Sequence, residues 1–345
     1  MSPTVFMIIM SSLATGTIIT LSSHHWLLAC IGLEINTMAM IPIISSTHNP
    51  RSTEAATKYF LTQAAASATI LFSSMTNAWH SGTWDITNTS FTPSHTLLTM
   101  ALAMKLGLAP AHFWLPEVLQ GSTMITALIV TTWQKLAPMA LIYLTVNNLS
   151  TTVLILTGLL STMVGGWGGL NQTQTRKIMA YSSIAHLGWM ITISSVMTNI
   201  LVISLIMYLV MTTAAFCLLI FSKSKTIQDT MTTWPLSPML TPMMMLTLLS
   251  LAGMPPLTGF MPKWLIMKEL VTQNLIPTAV IMMLSALLSL FFYLRLAYSM
   301  TLTLSPNSAQ TKLKWRLKPN FTTPLMMAAS MASILLLPMT PLMLL

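Results

Sequence analysis

The stretch Met100–Gly121, MALAMKLGLAPAHFWLPEVLQG, decides how the rest of the chain is read. It is apolar enough to lie in a membrane, yet it holds Lys105, His112 and Glu117 and is interrupted by Gly107, Pro110 and Pro116. A lysine in hydrocarbon costs roughly 2.5–3.5 kcal/mol even on the lenient insertion scale. Each proline removes a backbone donor that lipid cannot replace. A segment with both features has to be enclosed by protein and some water, as in the broken helices that mark ion and substrate paths in transporters. A second stretch, Leu251–Lys263, LAGMPPLTGFMPK, repeats the pattern G-x-x-P-x5-P. Gly253, Pro256 and Pro262 follow Gly107, Pro110 and Pro116 at a constant offset of 146 residues, and both sets interrupt long apolar segments.

Working outward, the 345 residues are 54% hydrophobic and 6% charged, with a mean hydropathy of +0.74. A water-exposed surface needs far more charge, so a soluble domain is excluded and an all-α polytopic membrane protein is expected. In that setting the net charge of +9 reports loop topology, not nucleic-acid binding. Cys30 and Cys217 both sit in apolar runs, which speaks against a disulfide framework, a zinc site or a thiolate-ligated iron–sulfur cluster. The first apolar run has no basic region and no small-residue cleavage site before Leu21, so it reads as a span and not as a signal peptide. Thirty-two methionines against two cysteines suggest the coding bias of an organelle.

At about 20 apolar residues per crossing, about eleven spans are expected: 3–21, 25–45, 57–77, 95–122 (broken), 124–146, 150–170, 178–197, 199–221, 238–271 (broken), 275–298 and 322–343. Arg51, Lys58, Arg176, Lys177, Lys223 and Lys225 then fall on the N-terminal side, together with Lys312, Lys314, Arg316 and Lys318. That side is the positive, cytoplasm-like or matrix side, and an odd number of crossings puts the C-terminus opposite. The broken spans are five crossings apart and so run in opposite directions, as in an inverted-topology repeat.

Ionisable groups inside these spans carry the chemistry. Glu34 in CIGLEINTM, Lys135 in TTWQKLAPM and His186 in YSSIAHLGWM lie near their span centres, given a rise of about 1.5 Å per residue. Lys105, His112 and Lys263 lie in or beside the two breaks. Groups sharing one depth on several helices suggest a path in the membrane plane. Burial and a nearby opposite charge act on protonation in opposite senses, and histidine shuttles protons without a large shift. Moving protons is therefore the chemistry that the set suits. The bland alternatives are snorkelling for the lysines, a structural counter-ion for Glu34, and packing for the histidines. Glu117 reads as a solvated helix end, Arg176 and Lys177 as topology determinants, and Trp114 and Trp133 as packing residues.

Five segments resemble one family: MKLGLAPAHFWLPEV at 104–118, TTWQKLAP at 131–138, GGLNQTQTRKIMAYSSIAHLGWM at 168–190, LAGMPPLTGFMPKW at 251–264 and NPRSTEAATKYFLTQAAAS at 49–67. The chain is similar along essentially its whole length to the antiporter-like subunits of respiratory complex I, in the short form encoded in animal mitochondria. That resemblance implies inverted five-helix repeats, each with a broken helix, and a midplane chain of charges linked to proton translocation. By it Glu34 and Lys105 form the glutamate–lysine pair, Lys135 is the central lysine, and Lys263 is the lysine of the second break. His112 and His186 match polar groups on the same axis. Relative to the longer bacterial members, with about fourteen spans, about three N-terminal helices are missing.

A single antiporter-like domain over 1–345 is expected, with the first repeat at 94–222, the second beginning at 237–298, and flanking helices at 1–93 and 322–345. The resemblance further implies a multi-pass protein of the mitochondrial inner membrane, N-terminus on the matrix side and C-terminus on the intermembrane-space side. Its partners would be neighbouring membrane-arm subunits and phospholipids, cardiolipin among them, and not nucleic acid. No cofactor is expected in this chain; FMN, iron–sulfur clusters and ubiquinone belong to other subunits of the NADH:ubiquinone reductase. Two other readings compete: a cation/proton antiporter subunit, and a scaffold whose buried charges serve assembly alone.

Overall fold

In the computed structural model the described residues are 3–231, 233, 239–302 and 323–339, and among them the chain is helical throughout, without a strand. The helices are α1 (Pro3–Ser22), α2 (Trp26–Ile44), α3 (Pro50–Ser81), α4 (Thr92–Leu106), α5 (Trp114–Gly121), α6 (Met124–Thr131), α7 (Trp133–Thr145), α8 (Thr151–Gly169), α9 (Thr175–Ser194), α10 (Thr198–Ser222), α11 (Ile227–Met231), α12 (Leu240–Ala252), α13 (Phe260–Thr272), α14 (Ile276–Leu302) and α15 (Thr323–Leu335). The basic positions Lys312, Lys314, Arg316 and Lys318 and the end of the last expected span lie outside the described residues.

Six helical stretches are long and apolar enough to cross a membrane: Pro3–Ser22, Trp26–Thr47, Met124–Asn148, Thr151–Gly169, Thr198–Ser222 and Ile276–Thr301. The other five expected spans fall on helices that do not reach that length and apolarity, so six crossings and not eleven are supported among the described residues. Helix α3 carries Arg51, Glu54, Lys58, Gln63 and Asn77, and α9 carries Arg176, Lys177 and His186. The broken segments are divided into short halves, α4 with α5 and α12 with α13. Serine and threonine hydroxyls inside the apolar helices bond back to carbonyls three or four residues earlier, as Ser73 does to Ile70 and Thr212 to Tyr208, so these polar groups need no water.

Helix ends follow local chemistry. Asn49 and Ser52 form a capping box ahead of α3, whose first residue is Pro50, and Gly82 closes it with φ 73°. Gly107 and Gly253 end α4 and α12 in the same left-handed conformation, φ 75° and 84°. That backbone costs a glycine little and an L side chain considerably more.

Packing divides the chain into two compact units. One comprises the described residues up to Ser161 together with Met190–Thr198; the other comprises Thr162–Trp189 and the described residues from Asn199 onward. In the first unit α3 packs on α2, α4 and α5, and α7 on α1, α2, α4 and α6. Its α1–α2 crossing is close enough that a Cβ on Gly16 would lie 2.4 Å from Asn36 Oδ1. In the second unit α12 packs on α14 and α15, and α13 and α11 pack on α14. Large apolar side chains such as Ile8, Leu61, Phe72, Trp167 and Leu287 are exposed, the surface expected of a chain surrounded by lipid or by other helices.

Candidate functional site

The first unit holds four of the six expected ionisable residues, Glu34, Lys105, His112 and Lys135. Lys105 occupies the last turn of α4 and is 4% exposed; Lys135 occupies the first turn of α7 and is 2% exposed. Both line one small cavity of about 10 Å³, together with Asn36, Gln63, Gln134 and Tyr59. That volume is about what one water-sized molecule requires. Its lining is unusually polar for the interior of an apolar protein: Lys105 Nζ, Asn36 Oδ1 and Gln134 Nε2 are buried and accept or donate no hydrogen bond among the described residues. Two ammoniums on the same cavity repel, so charge at one site is felt at the other.

Lys135 is held differently from Lys105. Its Nζ donates to the Leu106 carbonyl at 2.5 Å and lies 5.4 Å from the centre of the Trp114 ring. Pro138, one turn along α7, has no N–H to give to the Gln134 carbonyl, and the helix is interrupted at Thr132 just before the lysine. The glycine at the end of α4 and the proline in α7 thus both loosen backbone beside this group.

Glu34 sits on α2, half-buried, and its charge acts on Lys105. It also lines an open groove of about 590 Å³ whose other walls are apolar apart from Ser12, among them Ile9, Leu27, Ile31, Met38 and Leu71. The carboxyl therefore stands between the buried Lys105 and the outer surface of α1–α3. His112 lies in the segment between α4 and α5, 6% exposed, with Nδ1 3.2 Å from the Pro110 carbonyl and its ring against Phe113. It does not line the cavity shared by the two lysines. Glu117 is exposed on α5 and pairs at 2.6 Å with Lys58, which also pairs with Glu54, as a solvated helix end would. Exposed pairs contribute little, about 0–1 kcal/mol. Glu117→Gln is accordingly expected to change the stability of the protein by no more than about 1 kcal/mol; thermal unfolding of the variant beside wild type checks this.

The second unit holds the other two groups. Lys263 on α13 is half-buried; its Nζ donates to the Ala252 carbonyl at 2.7 Å and lies 5.9 Å from the Trp189 ring centre. His186 on α9 is close enough for the Lys263 charge to act on it, hydrogen-bonds the Leu251 backbone, and lies with its ring centre 5.8 Å from that of Tyr208, the two planes tilted by 44°. One strongly basic group here was passed over in the sequence: Arg295 of α14, whose guanidinium donates to the Leu170 carbonyl at 2.6 Å and to the Gln172 carbonyl. An arginine in a span of mean apolar character is the signal that could have found it. Both carbonyls belong to the turn that ends α8, so it reads as a cap on that helix. Among the described residues no group of three His, Cys, Asp or Glu side chains is placed to hold a metal ion.

Comparison with known proteins agrees along the whole chain. A family described as "NADH:quinone oxidoreductase/Mrp antiporter, TM" matches residues 23–289, and one described as "NADH dehydrogenase subunit 2 C-terminus" matches residues 290–344. The chain is 55% identical over 343 residues to NADH-ubiquinone oxidoreductase chain 2 of Varanus timorensis, covering 99% of both. It is 54% identical over 342 residues to the protein of that name from Gallus gallus, again covering 99% of both. Among solved structures it is similar to a chain of respiratory complex I from Thermus thermophilus, with TM-score 0.81 and 26% identity, covering 97% of this chain and 79% of that one. A chain of the Mrp complex from Dietzia sp. shares the fold at TM-score 0.81 with 14% identity, covering 96% and 74%.

Proposed function

Because the chain belongs to the NADH:quinone oxidoreductase/Mrp antiporter family, we propose that its buried ionisable residues relay protons across the mitochondrial inner membrane. The chain is a proton-translocating, antiporter-like membrane-arm subunit of an NADH:ubiquinone-reducing complex. Oxidation of NADH and reduction of quinone take place in other subunits, which hold the FMN, the iron–sulfur clusters and the quinone. The relay runs through Glu34, Lys105 and Lys135 in the first unit and through His186 and Lys263 in the second, with His112 beside the first break. Neighbouring antiporter-like subunits and phospholipids, cardiolipin among them, surround it. The spans number about eleven and contain inverted five-helix repeats, with the N-terminus in the matrix and the C-terminus in the intermembrane space.

What supports this reading is the cavity that Lys105 and Lys135 share. Two lysines buried to 4% and 2% exposure on one water-sized space are costly to keep in a membrane, and proton transfer is a use that accounts for the cost. Glu34 adds an opposite charge at the outer end, so that a change of charge on one group alters the proton affinity of the next.

The test uses the assembled complex in proteoliposomes that contain proton-sensitive and sodium-sensitive dyes, with wild-type protein and Lys263→Met. Sodium-independent, NADH-driven proton movement that falls by at least about half in the variant supports the reading. Sodium flux abolished by the same substitution would instead indicate a cation/proton antiporter. Loss of assembly with normal proton movement in the complex that does form would indicate a scaffold.

A further inference from the structure

The last carbonyls of α4 and α12 are satisfied in the same order by different parts of the chain. The C-terminal end of any helix leaves up to four carbonyls without intrahelical partners. In α4, Ala103 and Met104 receive the N–H groups of Gly107 and Leu108, Lys105 receives the Gln63 side chain, and Leu106 receives the Lys135 ammonium. In α12, Leu249 and Ser250 receive the N–H groups of Gly253 and Met254, Leu251 is hydrogen-bonded by His186, and Ala252 receives the Lys263 ammonium. Leu106 and Ala252 are 146 residues apart, the offset of the two broken segments. The lysines do not correspond, since one comes from α7 and the other from α13. The tryptophans beside them do not correspond either, Trp114 lying on α5 and Trp189 on α9. Only the carbonyl is equivalent, and in each unit an ammonium and an indole face have been brought to it by a separate route.

From this convergence we infer that the carbonyl end of each first half-helix is a seat for a protonated lysine, and that Trp114 and Trp189 are the positioning residues that wall it. Three features of the seat favour the charged form. A carbonyl accepts more strongly from an ammonium than from a neutral amine. The C-terminal end of a helix carries the negative end of its dipole. An aromatic face attracts a cation and does nothing for a neutral amine. Lysine that gives up its proton keeps only a weaker neutral hydrogen bond and loses the two attractions to its charge, so it turns more readily to another partner. The glycines make room for the seat: a Cβ on Gly253 would lie 3.0 Å from Lys263 Nζ, and one on Gly107 would lie 3.2 Å from the Trp114 ring. Trp114 is itself fixed, by its indole N–H on the Met104 carbonyl at 3.2 Å and by edge contact with Tyr59.

This inference rests on the reading that Lys135 and Lys263 carry protons, and the test separates the two. Trp114→Phe and Trp114→Leu both remove the indole N–H, but only Phe keeps a π face; Trp189→Phe and Trp189→Leu make the same comparison in the second unit. Proton uptake per NADH oxidised is measured in the assembled complex beside Lys135→Met and Lys263→Met. The expected result is that each Leu variant loses more than about half of the proton uptake that the matching lysine variant loses, and that Phe restores most of it. Where a Leu variant does not assemble, Met at that position provides the apolar side chain without a π face. Equal uptake in the Phe and the Leu or Met variants, while the lysine variants are impaired, overturns the seat and leaves the proton-relay reading standing. Normal uptake in the lysine variants overturns that reading and the seat with it.

Discussion

Lys135→Met is expected to lower proton-coupled NADH:quinone turnover of the assembled complex by about tenfold or more, with assembly preserved. A group placed to give and take a proton typically contributes about 10²–10⁴-fold to the step that it serves, and no other described side chain both lines the Lys105 cavity and reaches the Leu106 carbonyl. Methionine is close to lysine in volume and flexibility, so it fills the same space without an ammonium. It leaves the Leu106 carbonyl unpaired, at a cost of about 1–3 kcal/mol, but it also removes a charge whose burial is costly, and the two changes offset each other in stability. Lys135→Arg sharpens the expectation. A guanidinium keeps the charge and the donors but does not deprotonate. If the residue served only to pin helices together, arginine would restore function; if it passes a proton on, turnover stays low in Arg as in Met. Turnover and native-gel assembly, measured on the same preparations, distinguish these cases.

The second large effect is structural. Gly259→Ala is expected to destabilise the subunit by about 3 kcal/mol or more, to the point that little complex assembles. A Cβ at Gly259 would lie 1.7 Å from the Ser250 carbonyl oxygen and 2.8 Å from its carbon. The obstacle is backbone, so no side-chain rotation relieves it. Gly259 immediately precedes α13 and Ser250 lies in the last turn of α12, so relief would require the two half-helices to separate. Separation would also carry Lys263 away from the Ala252 carbonyl. Native-gel yield and thermal inactivation of whatever complex forms measure the effect. Wild-type yield and stability would mean that the half-helices do not approach as closely as the structure has them.

The breaks themselves were legible in the sequence. Gly107 and Gly253 lie within long apolar segments and are followed by two and three prolines respectively, which leave a helix nowhere to continue, and both segments divide into half-helices at those glycines. Lys135 was legible as buried, because a lysine midway along an apolar run is too far from either end to reach water. Glu117 was legible as a solvated end for the opposite reason. What each lysine touches was not legible. Hydropathy averages over about 20 residues and carries no information on which way a helix is turned, and Lys135 reaches a carbonyl 29 positions away. Trp114 and Trp189 gave no sign of their place beside an ammonium, since a tryptophan in an apolar segment has the same pattern whether it packs on leucine or on lysine. Arg295 escaped for a related reason: its four neighbours on either side are mostly apolar, so the segment reads as span and the one charge is averaged away. The polar cavity beside Lys105 depends on side chains from α2, α3, α4, α5 and α7, a set that no local pattern joins.

The most direct measurement is the number of protons moved per NADH oxidised by the assembled complex in sealed proteoliposomes, wild type against Lys135→Arg. A buried lysine that works by releasing its proton predicts a lower ratio in the arginine variant, with complex yield unchanged. The same ratio in both, at equal yield and equal turnover, would contradict a proton-carrying role for the buried lysines.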